Sequence, residues 1–362
     1  MSFLNKAGQF SDDIEKNIKM VEEHFCHTED LMKKELLFSK KKCVILYLHP
    51  LVKKELLQTS IIEPILESEL DDIEHIVHAA EIKKTTLIAE VGKQLLDGFC
   101  VILLEDESQA YTASVGGIEG RSIAEPVNEQ NIKSSHDGFV EEVSSNLQLL
   151  RKRIKSPYMK VKYFTIGNLT HTKVGMVYLE NLANKELVDE VKRRLTSIEI
   201  DQLYSTGDLE ELIEDHPFSP FPQNLATERP DRAVSYLADG KITIIVDGSP
   251  RVLVVPITFF AFYQAPDDYN SRWLVGSFFR IIRIFSFIVA ISLPAIYIAI
   301  VSFHSEVLPI GILYSIRTSL EYVPFPPFVE ALTMQRFCHP AITSGGRGRY
   351  GYSEKEYLYG LE

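Results

Sequence analysis

Cysteine is scarce in this chain and never paired. Cys26, Cys43, Cys100 and Cys338 are scattered, with no Cys-x-x-Cys among them. Disulfide frameworks and zinc knuckles need closer or paired spacing, so neither is expected. Single thiols of this kind fit a reducing compartment, which predicts a cytoplasmic soluble part. Positive charge is also short: 38 Lys and Arg stand against 50 Asp and Glu, a net charge of −12. Phosphate backbones attract basic surfaces, so no nucleic-acid partner is expected. Catalytic signatures are missing too. No Gly-x-Ser-x-Gly elbow occurs. The GGIEG run at 116–120 lacks the P-loop lysine and the dinucleotide spacing, so it reads as a turn. His24, Cys26 and His27 splay around a helix, and His75 and His78 lack a third ligand, so no metal site is read from them. Acidic pairs such as Asp12/Asp13 and Asp71/Asp72 sit on polar faces. The expectation is no catalytic residue, no metal and no cofactor.

Long apolar runs are absent with one exception. Residues 284–303 read IFSFIVAISLPAIYIAIVSF, twenty positions without a charge. At about 1.5 Å per residue such a helix matches a hydrocarbon core of roughly 30 Å. The run lies far from the N-terminus, so it does not read as a secretory signal peptide. Arg272, Arg280 and Arg283 precede it and few positive charges follow, which places the N-terminal side inside. Arg272, Trp273, Arg280 and Arg283 therefore read as a membrane-interface helix over 271–283. Pro294 sits mid-span and is expected to kink it. His304 and Glu306 fall just past its end, at the interface or in a gating position. The next apolar stretch, 307–316, is too short to cross alone.

What remains is ordinary globular composition, 45% hydrophobic and 24% charged. Ile14, Ile18, Val21 and Phe25 recur at helical spacing, so residues 11–38 read as an opening helix with Ser11 as its cap. The runs at 43–48 and 99–105 read as buried strands, the second in a hairpin with 111–115. Residues 68–98 read helical. Phe139, Val143, Leu147 and Leu150 give a connector helix one apolar face, and Arg151, Lys152, Arg153 and Lys155 load its end with positive charge. The alternation then repeats: strands at 161–167 and 174–179, helices at 185–195, 209–213 and 231–238, and two β-branched runs around Asp247-Gly248, a strong hairpin signal. Four prolines between 216 and 230 make that stretch a constrained loop. The fold class is α/β: a two-lobed soluble N-terminal domain followed by a transmembrane α-helical segment. The expected divisions are an N-terminal helix (1–39), a first lobe (40–130), a connector helix (131–157), a second lobe (158–265), a membrane region (266–334) and an atypical polar tail (335–362).

Several segments carry a resemblance. They include DGFVE (137–141), NLQLLRKRIKSP (146–157), VYLENLAN (177–184), SPFPQNLATERPDRA (219–233), VDGSPRVLVVPITFF (246–260), PDDYNSRW (266–273) and EYVPFPPFVEAL (321–332). In order and spacing they resemble the GerA-type A subunit of spore germination receptors. The resemblance implies a cytoplasmic N-terminal domain and a membrane domain in the spore inner membrane. It also implies a transporter-like B subunit and a lipoprotein C subunit as partners, self-association, and a part in nutrient-triggered ion release. After residue 332 the composition changes to a Gly- and Tyr-rich tail, and further membrane segments of the family do not follow. The chain is therefore expected to be a truncated form. Rival readings are a membrane-tethered assembly or binding module without transport activity, and a membrane-anchored enzyme.

The span has a direct test. Ile291→Asp or Ile298→Asp places a charge mid-bilayer at about 2.5–3.5 kcal/mol on insertion scales. Both variants should leave the membrane fraction on carbonate extraction; unchanged fractionation would refute the span.

Overall fold

In a computed structural model the chain forms two compact units, Met1–Phe262 and Tyr263–Glu362. The structure describes residues 8–39, 41–68, 72–116, 137–215, 223–258, 260–261, 272–302 and a few single positions beyond 308. His304, Glu306, most of the 116–120 run and the 335–362 tail lie outside the described residues.

The first unit holds two five-stranded antiparallel sheets. The first lobe runs α1 (Ile14–His24), β1 (Leu31–Phe38), β2 (Lys41–Leu48), α2 (Lys54–Leu57), α3 (Glu63–Glu67), α4 (Ile73–Ile76), β3 (Ile82–Thr85), α5 (Ile88–Leu96), β4 (Phe99–Leu104) and β5 (Ala110–Ser114). The second runs α6 (Val143–Arg153), β6 (Met159–Ile166), β7 (Thr172–Leu179), α7 (Lys185–Ser197), α8 (Thr206–Ile213), β8 (Leu225–Thr227), α9 (Pro230–Ala238), β9 (Ile242–Val246) and β10 (Val252–Val255). The strand orders are β1-β2-β4-β5-β3 and β6-β7-β9-β10-β8. Counted from its own first strand, each sheet has the same order. Helices cover both faces of each. On the first sheet Val44, Leu46, Val101 and Leu103 pack under α1 and α5. Cys43, Ile45, Cys100 and Ile102 point the other way, toward α2, α3 and α4. That is why these strands are apolar at every position rather than at alternate ones.

The repeat reaches single residues. Asn17 on α1 and Asn146 on α6 are both buried. Asn17 accepts from the Ser11 backbone N–H and donates to the Ser11 carbonyl. Asn146 does the same with Val140 at 2.8 and 2.6 Å. The Phe10 and Phe139 N–H groups donate to Thr86 and Glu228 carbonyls. The hydroxyls of Thr85 and Thr227 each accept the N–H two residues on, just ahead of α5 and α9. Gly98 and Gly240 precede β4 and β9 with φ of 89° and 77°, a left-handed turn that glycine adopts without a Cβ penalty.

Several sequence expectations need correction. The opening helix ends at His24, and residues 31–38 form β1. Asp13, not Ser11, caps α1, accepting from the Glu15 and Lys16 N–H groups. Residues 68–98 are not one helix: they hold α4, β3 and α5. A further helical stretch, Lys54–Glu67, passes through a π-turn at Gln58–Ile62. Pro64 explains the turn. Its ring would clash with the Ser60 carbonyl and it has no N–H to offer; that carbonyl accepts from the His78 N–H instead. The expected connector stretch contains α6. Phe139, Val143, Leu147 and Leu150 sit in the core of the second lobe. The expected Asp247-Gly248 hairpin joins β9 and β10, and the Asp247 carboxylate accepts the Val143 N–H at the start of α6.

In the second unit, α10 (Trp273–Ser302) is continuous through Pro294. The expected interface helix and span are therefore one element. Its first 28 residues are long and apolar enough to cross a membrane.

The two equivalent glycines differ in their surroundings. A Cβ on Gly240 would lie 2.6 Å from the Leu182 carbonyl oxygen, whereas one on Gly98 would come no closer than 3.1 Å to its neighbours. Gly240→Ala should therefore lose more stability than Gly98→Ala, toward the upper end of the about 1–3 kcal/mol typical of a strained backbone. Pulse proteolysis of the full chain in urea checks the order.

Candidate functional site

Two places stand out: the seam between the lobes and α10. At the seam the chain between α1 and β1 reaches across to β6. Cys26 and His27 there take φ of 53° and 52°, uncommon for residues with a Cβ. The turn delivers Thr28, Glu29 and Asp30 to the outer edge of the second sheet. The Glu29 N–H donates to the Val161 carbonyl at 3.1 Å. The Val161 N–H donates to the Thr28 hydroxyl at 3.0 Å, and the Tyr163 N–H to the Glu29 carboxylate at 2.7 Å. The free edge of β6 is thus occupied by lobe one.

Behind this rung lies a buried ion pair. Arg151 Nε donates to Asp30 Oδ2 at 2.9 Å and Nη2 to Oδ1 at 2.8 Å. Both side chains are 0% exposed. The Thr28 hydroxyl donates to the same carboxylate. Two parallel bonds from one planar guanidinium fix distance and angle together. A weaker, exposed link joins Lys155 to Asp97 at 2.6 Å. Beside the seam, the Tyr163 hydroxyl is pushed up from its ordinary pKa, first by burial and then by the Asp30 charge.

Sequence reasoning missed this seam. It reads Arg151 as one of four positive charges that load a helix end. The spacing did hold a signal: Arg151 follows Leu147 by four, which puts it on the apolar face. Asp30 had no signal, because the stretch holding it was read as helix. Arg153 and Lys155, from the same basic run, pair with Asp137 and Asp97 at the surface.

Elsewhere, candidate chemistry does not converge. His24 packs over Gly92 of α5, and burial lowers its pKa. Cys26 is half-buried, its thiol raised mainly by burial; Cys43 and Cys100 are buried and pushed up to about 12. His75 lies near Asp72 at the surface. Glu210 on α8 is raised to about 7, by burial first and then by Glu214 and Glu211. Glu190 is held down at about 2 by hydrogen bonds from Arg193 and Arg194. Among the described residues no three His, Cys, Asp or Glu side chains group to hold a metal.

On α10, the Arg272 carbonyl accepts the Val275 and Gly276 N–H groups and so starts the helix. Trp273 is 76% exposed, and Phe278, Phe279, Ile281 and Ile288 are exposed as well. Arg280 and Arg283 are half-buried on another side, in line with Gly276 and Phe287. The four sequence-picked residues therefore share one helical segment but not one face.

Comparison with known proteins bears on the family and the fold. The family model described as Bacillus/Clostridium GerA spore germination protein matches residues 19–339. Spore germination protein B1 of Bacillus subtilis (strain 168) is 34% identical over 335 residues, covering 90% of this chain and 69% of that protein. Spore germination protein A1 of the same organism is 34% identical over 331 residues, with coverage of 90% and 69%. The chain thus spans about two thirds of the length of these relatives. Among solved structures, the N-terminal domain of the A subunit of the Bacillus megaterium spore germinant receptor GerK3 matches with a TM-score of 0.56 at 23% identity, covering 70% of this chain and 99% of that one. At that identity the likeness is one of fold.

The buried pair makes an asymmetric prediction. Asp30→Asn leaves Arg151 uncompensated wherever the seam stays closed and should cost that closed state about 3–5 kcal/mol. Asp30→Leu combined with Arg151→Met removes both charges and should recover most of that loss. Urea titration of the detergent-solubilised chain, read by pulse proteolysis, separates the two outcomes.

Proposed function

Because the chain belongs to the GerA spore germination protein family, we propose that it is the A subunit of a nutrient-responsive germination receptor in the spore inner membrane. The two-sheet domain faces the cytoplasm, and α10 enters the bilayer within a membrane region running over 266–334. Arg272, Trp273, Arg280 and Arg283 lie at the interface, and Pro294 softens the span. The partners are a transporter-like B subunit, a lipoprotein C subunit and further copies of this chain. The assembled complex releases ions when nutrient arrives.

One observation carries the reading. A domain with the fold of the GerK3 A-subunit N-terminal domain is followed in the same chain by a helix long and apolar enough to cross a membrane. The arginines ahead of the apolar stretch support the inside orientation. Composition supports it too, since scattered thiols suit a reducing compartment.

The test is complementation. The chain is expressed in spores that lack their own A subunit but keep matching B and C subunits. Expected are inner-membrane location, co-purification of B and C, and nutrient-triggered ion release. A chain that reaches the inner membrane but recruits neither subunit refutes the proposal. Recruitment without ion release reduces the chain to a tethered assembly module.

A further inference from the structure

The four apolar clusters of the first unit divide cleanly between the lobes. Two draw only on residues 10–115 and two only on residues 139–255. Among the described residues no cluster of buried apolar residues crosses the seam. Polar, directional links cross it, namely the Asp30–Arg151 fork, the Thr28 hydroxyl, and the rung between Glu29 and Val161, beside the buried His49–Leu51 turn of the first lobe, which packs on α6. These groups are also where the internal repeat fails. The position on α1 equivalent to Arg151 is Glu22, which is only half-buried and sits on its own lobe. The left-handed pair Cys26-His27 has no counterpart after α6, where no residue between 154 and 158 takes a positive φ. The seam is thus a local specialisation laid over two otherwise equivalent lobes.

We infer that this seam is a latch: the two lobes separate as intact bodies when the Asp30–Arg151 fork releases. The physics favours a discrete opening. A bidentate fork is lost within a small displacement, unlike apolar contact spread over a surface. Once apart, both charges regain water, and that hydration offsets much of the lost pairing. Neither core is breached, because neither extends across the seam. Opening also frees the N–H and C=O groups of Val161 on the edge of β6. The inference concerns the lobes themselves and holds whatever complex the chain joins.

Native-state hydrogen exchange on the full chain tests it. In the wild type, the Glu29, Val161 and Tyr163 amides should exchange through an opening with weaker denaturant dependence than the amides of the central strands β4 and β9. One shared dependence for both sets would overturn the latch. A distance measurement gives the second arm. Genetically encoded spin labels at the exposed positions Ser108 and Glu211 report on the two lobes. Asp30→Asn should add a second, longer distance population while β4 and β9 amides stay protected. Arg151→Lys, which keeps the charge but loses the fork, should populate it less. An unchanged single distance in folded Asp30→Asn, or loss of β4 and β9 protection altogether, would show the seam to be a fixed part of one folding unit.

Discussion

A carboxylate and a guanidinium, both fully removed from water, set the relation between the two halves of the soluble unit. Neither Asp30 nor Arg151 tolerates burial alone, so each requires the other at the same place and angle. The rest of the seam follows from that requirement. Thr28 and Glu29 reach the β6 edge because Asp30 anchors the chain beside them, and Cys26 and His27 accept a left-handed backbone to bring the segment there. The same stretch satisfies backbone groups that an edge strand otherwise leaves open.

The two lobes show how one topology is held twice by the same small devices. A buried asparagine closes the loop before the first helix, a threonine starts the helix between the third and fourth strands, and a left-handed glycine ends it. None of these lies in the apolar core. Each satisfies backbone groups at a point where the chain enters or leaves a helix, where four N–H or four C=O groups lack helical partners. The cores themselves vary between lobes. Chain entry and exit are more constrained than the identity of the residues that fill the middle.

Much of this was legible in the sequence. The runs at 43–48 and 99–105 read correctly as buried strands because both sheet faces are covered. Asp247-Gly248 read as a hairpin because few other pairs accept that turn. The apolar stretch of α10 announced itself by length and lack of charge. The failures have physical causes. β1 is an edge strand exposed on both faces over most of its length, so LMKKELLF carries no alternation to betray it. In 68–98, short polar strand β3 contributes only four residues, and the helical residues on either side masked it. Arg151 was misread because charge at a helix C-terminus usually has a sufficient local reason, its favourable place in the helix dipole. Its partner is more than a hundred residues away in sequence, and a single chain read in order gives no measure of such a distance.

The continuity of α10 has a mechanical consequence. Thirty helical residues make a rod of about 45 Å. A bilayer's hydrocarbon interior is roughly 30 Å thick, shorter than this rod. About ten residues, carrying Trp273 and two of the arginines, therefore share one axis with the apolar part, without a swivel between them. A torque applied at the Trp273 end turns the exposed apolar side chains with it. The first place where the rod yields is Pro294, whose ring leaves the Ala290 carbonyl without its usual donor. Twist from that end is thus delivered to the middle of the apolar stretch rather than dissipated at its start.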